Sequence, residues 1–167
     1  MDVDADGLAD LRARIEAFMI KAVREAKQHS TWMNPDEHYE DAVRHFVGAL
    51  LSDSERSPFL VDFLPLQRRV ARFGLLNGLS QTLLKLTVPG VPDLYQGNEV
   101  WQFSLVDPDN RRPVDYPALR ASLDHLIDAT AIDATGQAPD PAALAAGLLA
   151  NLDDGRAKQY VTWRALT

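Results

Sequence analysis

Side chains able to bind a sugar are concentrated between Pro89 and Tyr116. A turn rich in proline and glycine opens this stretch, and Val91–Tyr95 then predicts a short strand. Two amides and a carboxylate follow, on Gln96, Asn98 and Glu99, with a glycine among them. Amide and carboxylate groups hydrogen-bond sugar hydroxyls. The composition of the stretch therefore predicts a polar binding surface and disfavours a buried core.

Acids and arginines alternate farther along the same stretch, at Asp107, Asp109, Arg111, Arg112 and Asp115. Arginine offers planar, paired donors, so these residues could form a charged wall of a binding site. They also have a structural interpretation, because Asp-Pro-Asp-Asn is a strong turn former. The arginines could equally pair with the acids and brace the loop. The sequence leaves both interpretations open.

Aromatic residues of the stretch have two interpretations as well. Tyr95 ends the predicted strand, where its ring could stack on a pyranose face or pack as an ordinary strand-end residue. Trp101 is the one tryptophan beside the loop, and large aromatics serve more often in packing than as sugar platforms.

The composition of the whole chain limits the class of protein. With 167 residues, 46% of them hydrophobic and 25% charged, the chain resembles an average soluble domain. A formal net charge of -7 disfavours nucleic acid as a partner. The absence of cysteine excludes a disulfide framework, a thiolate zinc site and a cysteine nucleophile.

Targeting and metal signals are weak. No apolar run approaches the roughly 18 residues of a membrane span, and the N-terminus lacks the pattern of a signal sequence. We therefore expect a cytoplasmic protein with no membrane partner and no cofactor. His38 and His45 lie on one face of a predicted helix near Asp41, where a surface metal is conceivable. Ordinary exposure is the simpler explanation, so no metal site is predicted.

Hydrophobic residues that recur at three- and four-residue intervals predict helices along most of the chain. The predicted spans are Leu8–Gln28, Pro35–Leu51, Phe59–Phe73, Leu75–Thr87, Pro117–Asp128 and Ala138–Leu152. Asn34 is expected to cap the second of them. Arg156–Thr167 fits either a strand or a terminal helical turn. The predicted fold class is mainly α with one or two short strands, which is an odd balance for a complete α/β domain.

Four sequence patterns resemble the maltooligosyltrehalose synthases of the α-amylase superfamily. They are Lys21–Lys27, Ser30-Thr31-Trp32 with Asn34-Pro35, the run Pro89–Glu99 continued by Leu105–Asp115, and Asp154-Gly155-Arg156 with Lys158. Their order and their coverage of nearly the whole chain make the resemblance specific. The chain departs from the family at Asn98, where threonine is more frequent, and over Ala138–Ala150.

The resemblance implies that the chain derives from the end of a (β/α)8 barrel. It assigns residues 1–75 to a helical insertion, 76–130 to the last helix–strand–helix unit with its substrate loop, and 131–167 to a linker and the start of a C-terminal region. A complete barrel needs about 250 residues. The family's catalytic carboxylates lie in strands before the matched region, so no catalytic residue is expected here. The expected protein partner is the remainder of the barrel, or a second copy joined through the unpaired strand.

The resemblance also implies an activity for the full-length protein. Such an isomerase, an intramolecular transferase, converts the reducing-end α-1,4 linkage of a maltooligosaccharide into an α,α-1,1 linkage and yields maltooligosyltrehalose. The substrate-binding residues would be Tyr95, Gln96, Asn98, Glu99, Asp107, Asp109, Arg111, Arg112 and Asp115. This chain alone is expected to be inactive. The alternative is an autonomous helical module for carbohydrate binding or protein docking.

Overall fold

A computed structural model describes residues 5–52, 57–132 and 136–167 of the chain. Within these ranges the α-helices are α1 (Ala5–Ala26), α2 (Glu37–Leu50), α3 (Pro58–Thr87), α4 (Tyr116–Thr130), α5 (Pro141–Ala150) and α6 (Arg156–Leu166). Short 3-10 helices cover Asp109–Arg111 and Leu152–Asp154. The mainly helical fold class is confirmed.

The strand predicted at Val91–Tyr95 is absent, and these residues form an irregular segment. A strand needs a neighbouring strand to take its backbone hydrogen bonds, and none of the described residues forms one. The last segment, which fitted either a strand or a helical turn, is the helix α6. It buries Ala157, Gln159 and Thr162 and packs on α4 and α5.

Two details of the predicted helices were wrong. α3 is one continuous helix of 30 residues, where the sequence predicted a break near Gly74. A glycine inside a helix costs only about 1 kcal/mol, which is too little to end a long helix. The cap of α2 is Asp36 and not Asn34, because Asp36 Oδ1 accepts a hydrogen bond from Tyr39 N at 3.0 Å.

The described residues belong to two compact units. The first contains α1, α2, the part of α3 up to Val70 and the segment Ser104–Arg112. The second contains the remainder of α3, the segment up to Phe103, and the helices α4 to α6. The predicted site residues are therefore divided between the two units.

A buried carboxylate joins α1 to α2 in the first unit. Glu40 is 1% exposed, and its oxygens accept hydrogen bonds from Arg24 Nε at 2.6 Å and Arg24 Nη2 at 2.7 Å. Ser30 Oγ also donates to Glu40 at 2.6 Å. The Arg24 hydrogen bonds, followed by that of Ser30, lower the pKa of Glu40 to about 2. The Arg24 guanidinium lies 5.0 Å from the centre of the Trp32 ring, so three residues of the matched sequence patterns converge here.

The core of the second unit lies where α4, α5 and α6 meet. Its buried residues are Leu126, Leu148 and Ala157, packed against the partly buried Leu79, Leu144, Leu152, Tyr160 and Trp163. A buried amide adds a polar link between α4 and α6, because Gln159 accepts from Ser122 Oγ at 2.6 Å and donates to Leu119 O at 2.8 Å. Both ends of this amide are thereby satisfied.

Gly155, immediately before α6, makes a close contact with the loop at Val100 and Trp101. Its φ of 83° lies in the left-handed region that favours glycine. A Cβ at this position would lie 2.9 Å from Val100 Cβ and 3.2 Å from Trp101 N. Trp101 Nε1 donates to Leu152 O at 2.6 Å, and Lys158 Nζ donates to Val100 O at 3.0 Å. Together these contacts attach the loop to the start of α6.

Replacing Glu40 by glutamine is expected to destabilise the protein at neutral pH, because Arg24 loses its anionic partner. The pKa of Glu40 in the folded protein, about 2, lies below the ordinary value of 4.5. The stabilisation that ionised Glu40 gives the fold is therefore complete above pH 4.5 and is lost as the pH falls towards about 2. The free energy of unfolding, measured in denaturant, should differ between the two proteins at neutral pH, and this difference should narrow in acid. Asp41→Asn, which removes an exposed ion pair with Arg44, is the control and should change little. A difference in unfolding free energy that persists unchanged in acid would contradict the conclusion that ionised Glu40 provides the stabilisation.

Gly155→Ala is expected to destabilise the protein by about 1–3 kcal/mol, because it adds a side chain to a left-handed residue in close contact with Val100. Gly147→Ala in α5 is the matched control, since no heavy atom lies within 4 Å of a Cβ there. That change should stabilise by about 0.5–1 kcal/mol through helix propensity. Thermal unfolding of the two variants measures both effects. Equal unfolding temperatures for the two variants would contradict a close contact between Gly155 and Val100.

Candidate functional site

The polar turn of the second unit runs from Tyr95 to Glu99. Asn98 N donates to Tyr95 O at 3.0 Å, which closes the turn, and Gly97 adopts a φ of 84° within it. A Cβ on Gly97 would lie 3.2 Å from Val114 Cγ2, so the turn packs closely on the segment before α4. Tyr95 is 57% exposed. The turn therefore presents an open aromatic ring and holds its backbone in place with a buried glycine.

The Gln96 side chain is oriented by a residue that the sequence did not single out. Tyr116, the first residue of α4, donates from its hydroxyl to Gln96 Oε1 at 2.8 Å. Asp115 caps the same helix by accepting from Ala118 N at 2.9 Å. The hydrogen bond from Tyr116 orients the Gln96 amide, whose NH2 can donate to an incoming acceptor.

A pocket of about 310 Å³ lies between the polar turn and α4. Its lining includes Gly97, Val100, Gln102, Pro113, Val114, Asp115, Ala118, Leu119, Ser122 and Asp154. Among the predicted site residues, Asp115 lines this pocket, while the side chains of Tyr95 and Gln96 are exposed. Asp154 accepts hydrogen bonds from the backbone N and the Nε of Arg156 at 2.9 and 2.7 Å.

Lys158 and Glu99 lie at the exit of the polar turn. Lys158 Nζ is 5.5 Å from the centre of the Trp101 ring. Burial lowers the pKa of Lys158, nearby Lys85 lowers it further, and the negative charge of Glu99 opposes the shift. Glu99 Oε2 is buried and has no hydrogen-bond partner among the described residues. A buried oxygen without a hydrogen-bond partner is stabilised by any hydrogen-bond donor that reaches it.

Asp109 in the first unit braces its own loop. It is held by Arg14 of α1, whose Nε and Nη2 each donate to one carboxylate oxygen at 2.9 Å. Leu105 N donates to the same carboxylate at 2.6 Å. These hydrogen bonds, Arg14 first, lower the pKa of Asp109. Lys21 Nζ also donates to Asp107 O at 2.7 Å, so α1 attaches the loop at two points.

The two arginines of this loop combine bracing with exposure. Arg111 forms an ion pair with Asp107, and Arg112 Nε lies 3.4 Å from Asp109 Oδ1. The Arg111 side chain is nonetheless 74% exposed and that of Arg112 is 48% exposed. The bracing interpretation therefore accounts for Asp109 most fully, whereas both guanidinium groups still reach solvent.

Other kinds of site have little support. No group of three or more His, Asp or Glu residues in the described part of the chain is arranged to hold a metal ion. His45 Nδ1 is instead 2.9 Å from Asp41 O. None of the helices that the structure describes is long and apolar enough to cross a membrane.

Comparisons with known proteins give a consistent result. A Mycobacterium tuberculosis protein, provisionally named as a maltooligosyl trehalose synthase, is 42% identical over 121 residues. A crystal structure of maltooligosyl trehalose synthase superimposes with a TM-score of 0.77 at 34% identity, over 94% of this chain. The synthase of Arthrobacter ramosus gives a TM-score of 0.64 at 35% identity, over 92% of this chain. No family model matches the chain.

The matched region is a small part of each relative. The alignment covers 72% of this chain but 15% of the Mycobacterium tuberculosis protein. The two structural matches cover 19% of the longer chains. The resemblance found in the sequence is thus confirmed, and the chain belongs to the maltooligosyl trehalose synthase family, of which it represents one segment.

Proposed function

We propose that this chain is a segment of an intramolecular transglucosylase that converts the reducing-end α-1,4 linkage of a maltooligosaccharide into an α,α-1,1 linkage. The observation that carries the proposal is the match to a maltooligosyl trehalose synthase crystal structure, at 34% identity over 94% of the chain. The reaction and the substrate come from this kinship. In the same proposal, residues 1–75 are a helical insertion, 76–130 belong to the end of the barrel, and 131–167 lead into a C-terminal region.

The proposed reaction needs two carboxylates and a well-held acceptor. One carboxylate attacks the anomeric carbon, and the other protonates the leaving oxygen, as in retaining glycosidases. The released glucose then turns, and its anomeric hydroxyl attacks the glycosyl–enzyme bond. Water competes for the same intermediate, so the site must hold the glucose and exclude water.

We assign the two catalytic carboxylates to polypeptide outside this segment. The pocket beside the polar turn does contain two acids, Asp115 and Asp154. Each already has a structural task, because Asp115 caps α4 and Asp154 binds Arg156. A retaining pair also has to face a sugar from both sides at about 5–5.5 Å, which demands the rigid frame of a complete barrel.

The segment's own contribution is to hold the acceptor sugar. The exposed ring of Tyr95 suits one face of a pyranose. Gln96, with its carbonyl held by Tyr116, offers its NH2 to a sugar hydroxyl. Glu99 Oε2 is buried without a hydrogen-bond partner among the described residues, so a sugar hydroxyl that enters the turn would satisfy it. Asn98 adds a second amide to the same turn. These groups would restrain a freed glucose near the reducing end of the substrate.

The segment Ser104–Arg112 of the first unit, here called the charged loop, has a divided role in this proposal. Asp109 and Asp107 serve mainly as anchors, through Arg14 and Arg111. The guanidinium groups of Arg111 and Arg112 are the donors left for saccharide hydroxyls, because much of each side chain is exposed.

In a full-length enzyme that carries this segment, Gln96→Ala and Glu99→Ala are each expected to raise the ratio of hydrolysis to isomerisation by about tenfold. The reason is that a less restrained glucose leaves before it reacts, and water takes its place. Product analysis of maltopentaose reactions gives the ratio. Gln81→Ala, on an exposed position of α3, is the matched control and should leave the ratio unchanged. An unaltered ratio in both site variants would show that neither side chain restrains the sugar.

Incubated alone with maltopentaose, this chain is expected to release neither a trehalose-ended product nor glucose, because the catalytic carboxylates are outside it. Chromatography of the products tests this directly. Formation of a trehalose-ended product would overturn the assignment of the carboxylates. Calorimetric titration with the same sugar distinguishes a segment of an enzyme from an autonomous carbohydrate-binding module. Binding by the isolated chain at micromolar affinity would favour the autonomous module.

A further inference from the structure

Trp32 lies at the tip of a closed turn between α1 and α2, within the first unit. Thr31 N donates to Asn34 O at 3.2 Å, and Asn34 N donates back to Thr31 Oγ1 at 2.9 Å. These two hydrogen bonds leave Trp32 and Met33 at the tip. Trp32 is 57% exposed there, so ordinary core packing does not account for it.

A buried network holds this turn at its base. Ser30 is fully buried, donates from Oγ to Glu40 at 2.6 Å and accepts from Asp36 N at 3.1 Å, so it ties the two ends of the loop together. Glu40 binds Arg24 through two hydrogen bonds. A buried ion pair is seldom more stabilising than apolar packing of the same volume. Its paired hydrogen bonds are directional, however, and therefore fix the loop in position.

The indole ring of Trp32 has one covered face. The Arg24 guanidinium lies over the ring, 5.0 Å from its centre, and is itself held by Glu40. The exposed area of Trp32 therefore belongs to the opposite face and to the edge of the ring. A large ring that is already fixed in place loses little conformational entropy when a ligand packs on its open face.

The size and charge of this surface indicate a sugar ring as its ligand. One indole matches one face of a pyranose, whose C–H groups pack on the aromatic ring while its hydroxyls stay in water. A protein partner needs a much wider apolar patch than the Trp32 ring with Met33 beside it. A nucleic acid is disfavoured by the net charge of -7.

We propose that Trp32 is a platform for one glucose unit of an α-1,4-glucan, in addition to the sugar contacts of the polar turn. The choice of an α-1,4-glucan rests on the proposed function. The site itself rests on the closed turn, the exposed ring and the buried network beneath it.

The three tryptophans of the chain allow one experiment to follow both saccharide contacts. In NMR of the isotopically labelled chain, each indole N–H gives its own signal while maltoheptaose is added. The Trp32 signal should shift and reach saturation with a dissociation constant of about 1–10 mM, because one stacked sugar contributes little affinity. Trp163, which packs against the core of the second unit, should not respond. Trp101, which follows Glu99 by two residues, reports on the polar turn.

Trp32→Ala should weaken binding by at least about fivefold, because it removes the stacking surface. The affinity of this variant is read from the backbone signals of residues 30–34. Trp32→Phe keeps a smaller ring and should give an intermediate affinity. Met33→Ala is the matched control, since Met33 is 95% exposed at the same tip and lacks a ring. Its affinity should stay within about twofold of the wild type.

The proposal is overturned if the Trp32 signal does not shift, if it shifts in proportion to concentration without saturating, as it would in glycerol, or if Trp32→Ala binds like the wild type. A response of Trp101 without one of Trp32 would remove the platform and leave the proposed function intact. A saturating response of Trp32 alone would support the platform, while the polar turn is judged separately by the product ratio of the Gln96 and Glu99 variants.

Discussion

The contact between Gly155 and Val100 is the constraint on which the candidate site depends. The segment from Val88 to Asp115 contains neither a strand nor an α-helix, so its backbone cannot rely on regular hydrogen bonding. It is held instead at a few points by hydrogen bonds that involve side chains. In the second unit, Lys158 of α6 donates to Val100 O, and Trp101 of the segment donates to Leu152 O, both close to Gly155. A turn whose exit is attached in this way can present polar groups without a sheet beneath it.

Ion pairs perform the equivalent task in the first unit. α1 carries two arginines whose side chains each bind a carboxylate through two hydrogen bonds, Arg24 to Glu40 and Arg14 to Asp109. Such paired contacts are directional, so they fix α2 and the charged loop in defined positions on α1. Because the Asp109 carboxylate is engaged by Arg14, it has little hydrogen-bonding capacity left for a sugar. We therefore assign the proposed sugar contacts of this loop to Arg111 and Arg112.

Local signals predicted the helices well. Apolar periodicity identified the regions of α1 to α5, with differences in their ends and in the continuity of α3, whereas α6 had been left open between a strand and a helical turn. The strand at Val91–Tyr95 failed because its pattern is local, whereas strand formation depends on a partner far away in the chain.

Composition alone singled out the segment that contains Gln96 as a sugar-binding surface, and this stays a prediction. The contacts within that segment could not be predicted. Tyr116, which orients Gln96, is 20 residues away, and Lys158, which holds Val100, is 58 residues away. No spacing rule connects such pairs. Only the family pattern that includes Lys158 gave a signal, and it did not say what the lysine contacts.

Whether this turn holds the acceptor sugar can be seen in a crystal structure of a full-length enzyme that carries this segment, with maltopentaose bound. We expect the Gln96 amide nitrogen to lie within about 2.7–3.2 Å of a hydroxyl of the reducing-end sugar. We also expect the Tyr95 ring to face a pyranose. A bound glucan whose reducing end contacts neither residue, while the turn keeps the conformation described above, would contradict the claim that this turn holds the acceptor.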